Sequence, residues 1–352
     1  MLNLARFPLG WTGRAGHSLR FTPRPDASMT DEPRSLRRRA ILMLVLATLY
    51  WGLSFPLIKT VTALNRGLLP DAGTWYLAAA ALAPRFLLAA ALMLLFRRRG
   101  GQLATPREIR QGVGIGVFAT AGTLFQTDGM QFTDASTSAF LTQFSAILIP
   151  AWLALRHRRS PGLIVWLGCI LVLFGVGILG HFDWRTLRFG RGEWETLLCS
   201  IFFMGQILWV GKKEFVGNRP GPVTLVLFSV QGSAFLALAA ATAPRARALL
   251  TPWQSPAWVG LTLALTMICT IGAFSIMNKW QPKITSTEAG LIYCVEPLFA
   301  SIFVLFVPAI FSRWAGIDYP NEHATWSLVV GGGLITLANA VVQMSPEARQ
   351  KP

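Results

Sequence analysis

The chain reads as an all-α membrane protein of ten transmembrane helices, arranged as two five-helix inverted repeats, and three observations predict that class. Hydrophobic residues make up 53% of the 352 and charged residues only 14%, with a mean hydropathy of +0.48; a soluble domain carries about 25% charge. Ten apolar runs reach the roughly 20 residues needed to cross a hydrocarbon core of about 30 Å. None alternates as barrel strands do, so the spans are helices. The third observation is that the fourth run is echoed in the ninth.

In order, the runs cover residues 40–64, 75–96, 109–127, 135–155, 163–182, 194–211, 222–243, 257–278, 287–307 and 324–344. They divide the chain into a basic tail (1–39), a first five-helix repeat (40–182), a connecting loop (183–193), a second repeat (194–344) and a C-terminal tail (345–352). The first tail is rich in Arg, Pro and Gly and has no apolar h-region, so it is no secretory signal. Its composition suits disorder. Translation starting at Met29 is a second reading, leaving a short basic lead into the first span.

Basic residues set the orientation. With the N-terminus inside, the cytoplasmic segments hold nineteen Lys and Arg, among them Arg37, Arg97, Arg110, Arg158, Lys212 and Lys283, and the outer segments hold seven. That asymmetry puts both termini in the cytoplasm. It also accounts for a net charge of +16 without a nucleic-acid partner, which would need one basic face on a soluble module. The chain has no Asn-x-Ser/Thr sequon, which is compatible with a bacterial inner membrane.

Ten spans divide into five and five, and an odd number per half forces the second half to enter from the opposite side. At an offset of 150 residues, Ser136-Thr137 aligns with Ser286-Thr287, Ala139 with Ala289 and Leu141 with Leu291. Both segments meet a proline further on, Pro150 and Pro297, and either is expected to bend its helix.

No metal or cofactor is expected. Cys169, Cys199, Cys269 and Cys294 fall within spans without CxxC spacing, and the four histidines form no ligand pattern. Neither HExxH nor GxSxG occurs. The stretch 205–213 has the wrong spacing for a phosphate loop and lies within a span. An enzyme is therefore not indicated.

The polar residues at membrane depth are the candidate site. Glu296-Pro297 interrupts an apolar run, and a carboxyl there costs about 2.5–3.5 kcal/mol to insert, so it faces a partner or a wet cavity. Pro297 has no N–H and disfavours α geometry at Glu296, which loosens the helix beside the acid. Arg85 stands about 15 Å from either end of its span, within reach of Glu296 as an ion pair across a cavity or as a fixed register pair. Lys59 lies nearer the outer end and can snorkel. Gln126, Gln143, Tyr293, Thr142, Gln206 and Asn278 offer hydrogen bonds to a substrate or between helices. Trp51 and Trp209 lie deep enough to line a cavity, whereas Trp75, Trp194, Trp258 and Trp326 suit an interfacial belt. Gly112, Gly114 and Gly116 form a small-residue packing stripe, and Gly331-Gly332-Gly333 reads the same way.

The run Trp51-Gly52-Leu53-Ser54-Phe55 with Lys59, Arg85-Phe86, the stretch 136–141 with Pro150, and Thr287 onward to Glu296-Pro297 together resemble EamA-type members of the drug/metabolite transporter superfamily. The resemblance covers residues 40–344. It implies inverted repeats around a central cavity and the export or exchange of small metabolites or drug-like compounds. The chain departs from the pattern at Ser145-Ala146, where family members often carry a further proline. The expected partners are a small solute, the lipid bilayer and protons carried on Glu296, with monomer and homodimer both open. The competing class is a structural or regulatory membrane protein that moves nothing.

Overall fold

A computed structural model describes residues 31–96, 103–156, 163–179 and 189–344. These residues contain helices and no strand. The elements are α1 (Asp31–Leu68), α2 (Thr74–Leu95), α3 (Pro106–Gly129), α4 (Ala135–Thr142), α5 (Ser145–Arg156), α6 (Leu163–Leu179), α7 (Arg191–Val210), α8 (Pro220–Thr242), α9 (Pro256–Ala264), a π-helical turn (Leu265–Gly272), α10 (Ala273–Trp280), α11 (Ser286–Tyr293), α12 (Glu296–Val304), α13 (Val307–Ala315) and α14 (Trp326–Met344). Five stretches are long and apolar enough to cross a membrane: Ser35–Leu68, Thr74–Leu95, Ala135–Arg156, Pro220–Thr242 and Pro256–Lys283. The pair α12 and α13, bent by 54°, makes a sixth if taken together. The other expected runs are helical where they are described apart from a residue or two at their ends, but fall short of that test.

Two boundaries differ from expectation. Residues 31–39, expected within a disordered tail, are the first turns of α1. Leu and Arg are good helix formers, and Arg37 is held by an ion pair to Glu288 at 2.5 Å. The rest of that tail, the 345–352 tail, His181 and most of the 183–193 loop lie outside the described residues, and α7 starts at Arg191.

Small residues decide which helices come close. A Cβ on Gly112 would meet Val226 at 2.7 Å, and one on Gly116 would meet Val230 at 2.8 Å, so α3 lies directly on α8. Gly114 accommodates the Trp209 ring. A Cβ on Gly52 would come within 2.7 Å of Phe299 and 3.2 Å of the Glu296 carbonyl, so α1 presses against the start of α12. Gly332 packs on Phe140, while Gly333 has open space beside it.

The tightest pairings are α2 with α8, α3 with α7, α6 with α14, α3 with α8 and α1 with α12. The largest core cluster runs through Leu82, Phe86, Phe228, Phe235 and Phe274, joining α2, α8 and α10. Trp258, expected in an interfacial belt, is instead 1% exposed and packs on Trp253. It sits one turn into α9 on the face toward Leu261 and Leu265, which places it in the core. Trp75, Trp194 and Trp326 are exposed, as a belt requires.

Candidate functional site

The site is built where two helices break. The ring of a proline clashes with the carbonyl four residues earlier, which for Pro297 is that of Tyr293. There α11 ends, and α12 starts at Glu296 with the proline in its first turn, where a missing N–H costs nothing. The other break, at Gln143 and Phe144, is a tightened turn in which Gln143 N donates to the Phe140 carbonyl at 3.0 Å. It falls seven residues before Pro150, and α5 continues through that residue as helix. The Pro150 side chain lies outside the described residues.

Between the breaks lies a cavity of about 80 Å³, room for several waters. Eight of the candidate residues share its wall: Trp51, Arg85, Gln126, Thr142, Gln143, Gln206, Tyr293 and Glu296. The edges of Phe274 and Tyr293 meet Trp51 with centroids 5.4 Å apart, which fixes its ring. Tyr293 donates to Gln281 Oε1 at 2.7 Å. Gln126 donates to Thr142 Oγ1 at 3.1 Å, and Gln206 donates to the Met277 sulfur at 3.4 Å. The Gln143 side chain shares the wall with the Glu296 carboxyl, near enough for its amide to serve it as a donor. Its own Oε1 and that of Gln206 are buried without a hydrogen-bond partner.

Arg85 and Glu296 do not form the expected ion pair. The guanidinium turns to the π-helical turn, where its Nε donates to Thr270 Oγ1 and its Nη2 donates to the Cys269 carbonyl at 3.2 Å. Thr270 in turn donates to the Leu265 carbonyl, five residues back, at 2.9 Å. A π turn takes one extra residue into the helix and so re-aims the carbonyls around it, which is why such turns recur at functional sites. Here it gives the cation neutral acceptors, so Arg85 needs no carboxylate to hold its place.

Lys59 is not in the cavity. It donates to the Thr133 carbonyl at 2.9 Å and lies 4.0 Å from Asp134 and 5.6 Å from the Tyr319 ring centre. Glu322 closes this cluster by accepting from the backbone N–H of Ala135 at 2.9 Å and of Ser136 at 3.3 Å. It thereby caps α4 from the segment before α14. Burial pushes the Tyr319 hydroxyl pKa up. Asn278 ties α10 to Thr224 of α8 at 2.9 Å, and Trp209 donates to the Gln111 carbonyl at 3.2 Å, so both serve packing. Cys199, Cys269 and Cys294 are buried and unpaired. Among the described residues no cluster could hold a metal ion.

Ser54, Thr123, Ser145, Phe203 and Met277 also line the cavity and were not singled out from the sequence. Small hydroxyls and apolar side chains inside apolar runs carry no signal of their own. Thr270 was missed for the same reason.

Residues 38–180 match the EamA-like transporter family. A protein of Archaeoglobus fulgidus named as an uncharacterized transporter is 25% identical over 279 residues, covering 78% of this chain and 79% of its own. A second uncharacterized transporter from that organism is 25% identical over 308 residues, covering 84% and 94%. A crystal structure of a protein aligns with a TM-score of 0.53 at 16% identity, over 86% of this chain and 96% of that one, a likeness of fold.

Proposed function

We propose that this multi-pass membrane transporter of the EamA type is a secondary carrier that exports or exchanges a small solute through the cavity between its two broken helices, with Glu296 carrying a proton. The observation behind this reading is a buried carboxyl placed at a helix break, on a cavity wall, with the Gln143 amide beside it and no ion pair to Arg85. Discontinuous helices that meet at a central site are how many carriers expose backbone and charge to a solute. A carboxyl without a neighbouring cation is neutral or ionised according to what shares its cavity.

The same reading takes the chain as ten spans in two inverted repeats, 40–182 and 194–344. The pairings support it. Matching the spans of the two halves in order makes α1 equivalent to α7, α2 to α8, α3 to α9 and α10, α4 and α5 to α11 through α13, and α6 to α14. Under that matching, α3 on α7 mirrors α10 on α1, α3 on α8 mirrors α10 on α2, and α1 on α12 mirrors α7 on α4 and α5. In each half the broken helix opens at a comparable place, 143–144 and 294–295. The distribution of basic residues supports both termini on the cytoplasmic side, and the reading takes the membrane to be a bacterial inner one.

The test uses purified protein in proteoliposomes under an imposed pH gradient, offered a pooled metabolite extract and read by mass spectrometry. Wild type should accumulate one compound class in a gradient-dependent way, and Glu296→Gln should fold and insert but lose that accumulation by at least about tenfold. Equal accumulation by both proteins would make Glu296 structural and sink the coupling.

A further inference from the structure

Two ionisable groups line the cavity without pairing, and they differ in one respect. An arginine does not deprotonate in a protein, whereas a carboxyl can take a proton and become neutral. Arg85 is 3% exposed, and its partners are the neutral oxygens of Thr270 and Cys269. No carboxylate lies within ion-pair distance of it among the described residues. Its Nε and Nη2 are engaged there, and Nη1 is left for the cavity it borders. The wall therefore carries a permanent positive charge at membrane depth with no carboxylate in contact with it, a costly arrangement that an anion brought into the cavity would relieve.

We propose that the cavity takes a solute bearing a single anionic group, of the class of a short monocarboxylate, docked on Arg85. The proposal rests on the carrier reading and narrows its substrate. Thr270 is the positioning residue: its hydroxyl proton is committed to Leu265, so a lone pair points to Nε of Arg85 and holds the guanidinium at the wall, away from Glu296. The rest of the cavity suits a short apolar body, with Trp51, Phe86, Phe203, Phe274 and Met277 on its walls. A four-carbon acid is a small solute, on the scale of a space of about 80 Å³ with room for several waters. The solute's carboxylate and Glu296 share this space without repulsion when Glu296 holds a proton.

The test is titration calorimetry on the purified full-length protein with n-butyrate, 1-butanol and n-butylammonium. Butyrate should bind about tenfold or more tighter than either analogue, the size expected of a hydrogen-bonded ion pair. Thr270→Val should weaken butyrate about tenfold and leave 1-butanol unchanged, and Thr270→Ser should restore it. Glu296→Gln, which mimics the protonated acid, should bind butyrate more tightly than wild type. Preference for butylammonium, equal binding of all three, or no butyrate binding would each overturn the proposal. Glu296-dependent accumulation of some other solute in the proteoliposomes would leave the carrier reading standing while this one fell. Butyrate binding with no Glu296-dependent transport would do the reverse.

Discussion

The two broken helices share a frame but not a chemistry. Each begins with an eight-residue helix, Ala135–Thr142 or Ser286–Tyr293, and each restarts within three residues against the cavity. The first restart offers Ser145 and the second offers Glu296. The start of α4 is capped from a distance by Glu322, whereas α11 is capped by its own Glu288, which accepts from Thr285 N at 2.9 Å and pairs with Arg37. The comparison teaches that two helix ends can face one space with similar geometry while the carboxyl stands on one side only. The other half contributes the neutral partner, Gln143.

The sharpest way to break that comparison is to remove, one at a time, the polar groups that the first break turns to the cavity. Gln143→Leu removes the donor to Glu296 and should lower gradient-driven accumulation about tenfold, since a hydrogen bond to a charged group is worth about 1.5–3 kcal/mol. Ser145→Ala, at the place equivalent to Glu296, should stay within about twofold of wild type in the same proteoliposome assay. Similar losses in both variants would mean that the first break acts through its hydroxyl as much as through the amide beside Glu296, and would remove the asymmetry between the two ends.

A smaller effect is expected from Pro297→Ala. The substitution returns an N–H and removes the clash with the Tyr293 carbonyl, so α11 and α12 can join as one helix. Helix continuity should raise the thermal midpoint or leave it unchanged, while accumulation falls severalfold because Glu296 turns with the straightened helix. A midpoint that drops, with transport intact, would show that the break is held by packing around it, such as the close approach of Gly52, and not by the proline.

Much of this frame was legible from residues alone, and the rest was hidden for physical reasons. Glu296, Arg85, Gln126 and Gln143 stand out because a polar group at membrane depth is expensive and needs a purpose. Pro297 announced its break through its missing donor. The break at 143–144 had no such marker, and attention went to Pro150, which the helix accommodates. The π turn is invisible to periodicity, since one added residue leaves an apolar run apolar. It decided the largest discrepancy: Arg85 was expected opposite Glu296 because opposite charges attract, yet Thr270 and Cys269 satisfy it first. Trp258 shows the limit of reading depth from position along a span, because which face a ring presents is set by neighbours on other helices.

The smallest expected effect lies outside the cavity and sharpens the contrast between a paired and an unpaired acid. Glu108 caps α3, accepting from Thr105 N at 2.8 Å, and is gripped by Arg219 through Nε and Nη2, each at 2.7 Å. That grip, with the backbone bonds from Thr105 and Arg219, pulls its pKa down to about 2. A folded-state pKa below the unfolded one stabilises above the unfolded value, near 4.5, and the stabilisation fades as pH falls toward 2. Glu108→Gln keeps the reciprocal cap, because glutamine serves that position, and loses only the charge. Its thermal midpoint should sit below wild type at neutral pH, by a deficit of about 1–2 kcal/mol. The gap should close on acidification from about pH 5 toward pH 2. Accumulation at neutral pH should be unchanged, because Glu108 answers to Arg219 and not to the solute. A gap that persists unchanged at low pH would mean that the glutamate contributes through shape and not through its charge.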